Sequence, residues 1–163
     1  MTDEHDLKAT VLICTRNNAR SLRHTINSIR RCDAPGASLA EVLVVDNGST
    51  DGTATLVRSI GSTWAKLKYV HESRPGKGYA YNAGIARAAG SVVFFTDDDV
   101  RVPEDWIERQ IRILVRRNLD GLAGGVRVDA RYERWMRRAG VWDTRAWFAL
   151  TDMFAADRVD GVV

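Results

Sequence analysis

Short apolar runs alternate with helically spaced stretches from Ala9 to about Val128. Ala9-Thr10-Val11-Leu12-Ile13-Cys14 predicts a buried strand. Leu22, Ile26 and Ile29 then fall at helical spacing, behind Asn17 and Asn18, either of which can cap a helix beginning near Ala19. Glu41–Val45 predicts a second strand, and Leu56, Val57 and Ile60 the inner face of a short helix. Leu67–His71 predicts a third strand. Tyr79–Ala89 reads as a small-residue helix stopped by Gly90, a favourable C′ glycine. Val92, Val93, Phe94 and Phe95 lack polar alternation, which predicts a central strand buried on both faces. Trp106, Ile107, Ile111, Leu114 and Val115 mark an amphipathic helix, and Gly121–Val128 a further strand. The expected fold class is α/β, a Rossmann-like, mostly parallel sheet flanked by helices.

The run at Val92–Phe95 ends in three adjacent carboxylates, Asp97, Asp98 and Asp99. They fall at a strand's carboxyl end, where open α/β sheets bind ligands. Like charges side by side repel, so a cation or a ligand hydroxyl is expected to offset them. Strand alternation sends Asp97 and Asp99 to one side and Asp98 to the other. An Asp-X-Asp pair can thus share one divalent ion. A solvated acidic turn before a helix beginning at Pro103-Glu104-Asp105-Trp106 would account for one aspartate as a cap, not for three.

Length and charge narrow the field. At 163 residues the chain is one domain: a polar stretch over 1–8, a core over 9–128, and an aromatic, arginine-rich segment over 129–163. The net charge of +3 is mild, with arginines concentrated late, at 109, 112, 116, 117, 131, 134, 137 and 138. Such a run suits a solvated face, phosphates or an anionic membrane surface. No aromatic-basic signature for RNA or DNA accompanies it, so nucleic acid is not an expected partner. Cys14 and Cys32 lack metal or redox spacing and read as reduced thiols of a cytoplasmic protein. No signal peptide is read at the start, and no stretch approaches the ~20 apolar residues that span a bilayer.

Several motifs, taken together, resemble the nucleotide-binding half of bacterial family 2 glycosyltransferases, which have the GT-A fold. They are Val11–Asn17, Val44-Val45-Asp46-Asn47-Gly48-Ser49-Thr50-Asp51-Gly52-Thr53, Pro75-Gly76 with Asn82-Ala83-Gly84, and Phe95-Thr96-Asp97-Asp98-Asp99-Val100 with Pro103 and Trp106. Order and spacing agree from about Thr10 to Val128. The resemblance implies transfer of a sugar from a nucleotide diphosphate, UDP favoured, to a carbohydrate or lipid-linked acceptor, with inversion. It places Thr15 and Arg16 along the nucleotide pocket, Asp46 on the base, Asp97 on the ribose or sugar and Asp98 beside it. Asp99, with Asp97, would hold Mg2+ or Mn2+. Lys77 would stabilise the departing diphosphate oxygens. Asp46 also fits a cap of the Asn47-Gly48 turn, Asp51 a cap of the next helix, and Lys77 a solvated loop lysine. Peripheral contact with the inner membrane face is compatible with the late arginines.

Two departures from the family's pattern stand out. Tyr81 precedes Asn82 where many relatives carry arginine. After Val128 no carboxylate has the context of the family's catalytic base; Asp152 and Asp157 do not match it. A truncated, donor-binding chain without transferase activity is therefore the alternative expectation. An aspartyl-nucleophile phosphatase is excluded because its motif belongs on the first strand with a later lysine, and no lysine follows Lys77. A nucleotidyltransferase would need a glycine-rich loop after the first strand, and Thr15-Arg16-Asn17-Asn18 is not one.

Overall fold

The computed structural model describes residues 7–124 together with Arg134, Trp135 and Arg138. The chain divides into two units, Met1–Leu119 and Asp120–Val163. Strands β1 (Ala9–Thr15), β2 (Leu39–Asp46), β3 (Leu67–His71) and β4 (Val92–Thr96) lie in the first unit. They pair in parallel in the order β3-β2-β1-β4. Helices α1 (Ala19–Arg30), α2 (Thr53–Gly61) and α3 (Lys77–Ile85) connect them, and α4 (Trp106–Arg117) follows β4. In the second unit, 121–124 has no regular structure, and the rest of the strand expected to Val128 lies outside the described residues.

Side-chain alternation along the strands separates two apolar layers. Val11 and Ile13 of β1, Val42 and Val44 of β2 and Phe94 of β4 pack against Leu22, Ile26 and Ile29 of α1, Leu56 and Val57 of α2, and Ile107 and Ile111 of α4. Leu12, Val45 and Val70 face the other way, onto Ala80 and Ala83 of α3. The second layer is thin because α3 carries small residues; a Cβ on Gly84 would collide with Leu12. Each fully buried aliphatic side chain contributes about 1.5–3 kcal/mol, so the α1–α2–α4 face carries most of the stability.

Three expectations change. Among the described strands β4 is an edge strand, not a central one, and Phe95 is 51% exposed, so the strand is not buried on both faces. Its run of four apolar residues reflects one deeply packed face at Phe94 and an edge-to-face contact of Phe95 with Tyr81 on the other. Helix α3 ends at Ile85, and Gly90 is not its C′ residue. Gly90 is instead required by close backbone approach: a Cβ there would lie 2.5 Å from the Lys8 carbonyl oxygen. Asn18 does occupy the N-cap of α1, but its side chain makes no cap hydrogen bond.

The topology positions the site. β1, β2 and β3 step across the sheet in one direction, and α3 then returns so that β4 lies on the other side of β1. The carboxyl ends of β1 and β4 therefore flank the switch point at which open α/β sheets bind ligands.

Candidate functional site

Thr15, Asp46, His71 and Asp97 occupy the carboxyl ends of the four strands or the position just beyond. Gly76 has φ +130, a conformation open to glycine, and turns the chain so that Lys77 opens α3. Lys77 Nζ donates to Asp97 Oδ1 at 2.6 Å and lies 5.5 Å from the centre of the Tyr81 ring. The Asp97 carboxylate first, and Tyr81 second, hold the Lys77 ammonium above its ordinary pKa, so it stays cationic. Both ends of the pair are more than half exposed, at 58% and 57%. An exposed pair of this kind is worth about 0–1 kcal/mol, so Asp97 exchanges its partner easily.

Asp98 is turned the other way. Its carboxylate accepts the Thr15 hydroxyl on one oxygen and, on the other, Asn18 Nδ2 at 2.8 Å. Its backbone carbonyl accepts the hydroxyl of buried Thr25 in α1 at 2.9 Å. Asp99 is exposed, like Asp97, while Asp98 is half-buried. Arg16 is exposed at the end of β1.

Asp46 is 1% exposed, and both of its oxygens are engaged within the chain. Oδ1 accepts the Ser49 N–H and Oδ2 the Tyr69 hydroxyl, each at 2.8 Å. Burial and then Asp46 push the Tyr69 phenol up to about 12. Neighbouring loops are stapled in the same manner. Asn17, in the left-handed region at φ 53, accepts the Thr50 N–H at 2.7 Å while its own N–H donates to Ser49 Oγ at 2.9 Å. Asp51 accepts the Ala19 N–H at 3.1 Å and the Thr53 N–H at 3.0 Å, so one carboxylate serves the first residues of α1 and α2. Asn47 accepts the Gly76 N–H at 2.8 Å and donates to the carbonyls of Glu72 and Arg74. Asn17, Asn18, Asn47 and Tyr81 thus surround the site, with buried Thr25 beneath it; the sequence marked Asn17 and Asn18 as caps, Asn47 within the second-strand motif and Tyr81 as a departure from pattern, and did not mark Thr25.

The site's chemistry is oxygen-rich. No group of three or more His, Cys, Asp or Glu side chains able to hold a metal exists among the described residues. Asp97 and Asp99 offer two exposed carboxylates at this edge. That suits Mg2+ or Mn2+, which take one or two carboxylates and complete their shell with water and phosphate oxygens. Cys14 lies beside this edge, but burial pushes its thiol up to about 11, so it is no ready nucleophile. Among the described residues no helix is long and apolar enough to cross a membrane.

Comparisons with known proteins bear on the family and the fold. A family model described as "Glycosyl transferase family 2" matches residues 10–160. Glycosyltransferase AglE of Haloferax volcanii is 30% identical over 118 residues, which are 72% of this chain and 38% of that protein. The mannosyltransferase PcManGT from Pyrobaculum calidifontis, solved with GDP-Man and Mn2+, superimposes with TM-score 0.62 at 34% identity, covering 72% of this chain and 34% of that one. Glucosyl-3-phosphoglycerate synthase from Mycobacterium tuberculosis, solved with Mn2+ and UDP, gives TM-score 0.54 at 25% identity, over 71% and 40% of the two chains. The chain thus spans under half the length of these relatives.

Proposed function

The chain belongs to glycosyl transferase family 2, and from that premise we propose that it binds a nucleotide-diphosphate sugar with one divalent cation at the carboxyl edge of β1 and β4. The observation that carries the reading is the exposed Asp97–Lys77 pair beside exposed Asp99 at the switch point. Asp97 and Asp99 are the carboxylates that would hold the cation, and Lys77 and Arg16 the side chains that would face the diphosphate. The cation, when bound, neutralises charge growing on the departing diphosphate. Lys77 adds to that stabilisation by moving from Asp97 to a phosphate oxygen, an exchange that the weakness of an exposed pair allows. Asp46 enters as the residue that builds the β2–α2 loop, since both its oxygens are already bonded.

In inverting transfer the acceptor oxygen bonds to the anomeric carbon as the bond to the diphosphate breaks, and a base takes the acceptor proton. The groups placed at this edge serve the donor half of that reaction. A second reading is donor binding without transfer by this chain, since the candidate residues at this edge, Asp97, Asp99, Lys77 and Arg16, all belong to the donor side. Incubation with nucleotide sugars, Mn2+ and candidate acceptors, followed by mass spectrometry, separates the two readings: glycosylated product supports transfer, and nucleotide binding without product supports the second. Failure of UDP and GDP alike to bind would sink both.

A further inference from the structure

We propose that Asp98 is a positioning residue, a strut that locks the β1–α1 loop against the neighbouring carboxylates and touches neither nucleotide nor metal. The inference rests on the nucleotide-binding reading above and assigns the middle carboxylate of the triplet a different task from its neighbours. Three contacts converge on it from separate points of β1 and α1. The Thr15 hydroxyl ends β1, Asn18 stands at the N-cap of α1, and Thr25 lies a further two turns along that helix. Thr15 and Thr25 are buried, so these donors have no water to turn to. Arg16 lies between the two points at which the carboxylate grips the loop. Asp97 shows the opposite character: among the described residues its carboxylate is paired with one exposed lysine and is hydrogen-bonded to none of the β1–α1 loop.

The chemistry of the strut separates it from a ligand. A carboxylate accepts from both Thr15 and Asn18. An asparagine of the same shape still accepts from Asn18 with its oxygen, and its NH2 donates to the Thr15 hydroxyl, which can reverse from donor to acceptor. Asp98→Asn therefore keeps both contacts and removes only the charge, whereas Asp98→Ala removes both contacts. Thr15→Val cuts one of them from the other side and leaves all three carboxylates untouched. A metal ligand or a charge-assisted contact to the donor would be substantially weakened by the loss of charge.

The experiment titrates the 163-residue chain with UDP and with GDP, each with MnCl2 and with chelator, alongside Asp98→Asn, Asp98→Ala, Thr15→Val and, as a stability control at the far edge of the sheet, Thr10→Val. Hydrogen exchange of the Arg16–Ala19 amides is read in the absence of ligand. We expect Asp98→Asn to stay within about threefold of the parent with its Mn2+ dependence intact, and Asp98→Ala to bind about tenfold more weakly with faster amide exchange. Thr15→Val should follow Asp98→Ala in direction, and Thr10→Val should lower the melting temperature without weakening binding. The proposal is overturned if Asp98→Asn loses as much affinity as Asp98→Ala or loses its Mn2+ dependence. It is also overturned if Asp98→Ala binds like the parent, or if Thr10→Val weakens binding equally. Should the parent bind neither nucleotide, the donor reading falls and exchange alone decides: faster exchange in Asp98→Ala sustains the strut, and unchanged exchange removes it.

Discussion

The two edges of the sheet use the same residue types to opposite ends. At the amino edge Glu41, 2% exposed, accepts the Thr10 hydroxyl at 2.9 Å, the Ala89 N–H at 2.7 Å and Lys68 Nζ at 2.6 Å. Nearby, Asp33 accepts Trp64 Nε1 at 2.7 Å and Lys66 Nζ at 2.6 Å. These carboxylates are saturated by their own chain. At the carboxyl edge Asp97 has a single exposed lysine and Asp99 stands in solvent. A saturated network holds a fold together, and an unsaturated one leaves capacity for a ligand. Asp98 and Asp46 belong in character to the first class while sitting among the second.

The sharpest way to break this comparison is to remove the hub of the amino edge. Glu41→Ala leaves a buried hydroxyl and a backbone N–H without their acceptor and should cost about 2–4 kcal/mol of stability. Urea denaturation reads that loss, and nucleotide affinity of the folded fraction should not change. Asp99→Asn should do the reverse. Its stability should stay within about 0.5 kcal/mol of the parent while the Mn2+-dependent part of UDP or GDP affinity disappears. An unchanged Mn2+ response would return Asp99 to the role of a solvated turn residue. Lys77→Met should be milder, weakening nucleotide binding by roughly tenfold through loss of one charge-assisted contact. The same variant frees Asp97, so Mn2+ alone, read by electron paramagnetic resonance, should bind no more weakly than to the parent.

Acid separates the edges more gently. Burial raises the Glu41 carboxyl, but Lys68, the Ala89 N–H and Thr10 outweigh it and leave its pKa below 4.5. Asp33 is likewise lowered below 3.8, burial being outweighed by Lys66 and Trp64. A carboxyl depressed in the fold binds fewer protons than its unfolded counterpart. Its stabilisation is therefore present above the unfolded value and is lost as pH falls through the folded one. Melting temperature should decline as pH drops below about 4.5, and Glu41→Gln should flatten part of that decline. A profile identical to the parent's would remove Glu41 from the acid response.

Most of the fold was legible in the sequence because its strands are short apolar runs separated by turn chemistry. β3 is observed at the residues expected, Leu67–His71; β1 extends the expected run by one residue, and β2 by two at its start and one at its end. The misreadings share a cause. Phe95 looks like core in a run of four apolar residues, yet its burial depends on which strand lies alongside, and that is a matter of topology. Gly90 looks like a helix stop, yet it answers to the passing backbone of Lys8 and Ala9. Asn18 looks like a cap, yet its amide reaches Asp98, 80 residues away, while Asp51 supplies the acceptor for Ala19. Local chemistry names the donors and acceptors at the site. Only the folded chain pairs them, which is why Asp97, Asp98 and Asp99 were found together but not told apart by partner.

The central claim, that the carboxyl edge binds a nucleotide diphosphate through a cation held by Asp97 and Asp99, is tested most directly by one calorimetric titration. UDP and GDP are each titrated into the parent chain and into Asp99→Asn, with MnCl2 and again with excess chelator. The account predicts that at least one nucleotide binds the parent far more tightly with Mn2+ than with chelator, and that Asp99→Asn binds with the chelator-like affinity under both conditions. Identical affinity of the parent with and without Mn2+, or an Asp99→Asn chain that keeps the full Mn2+ gain, would contradict it.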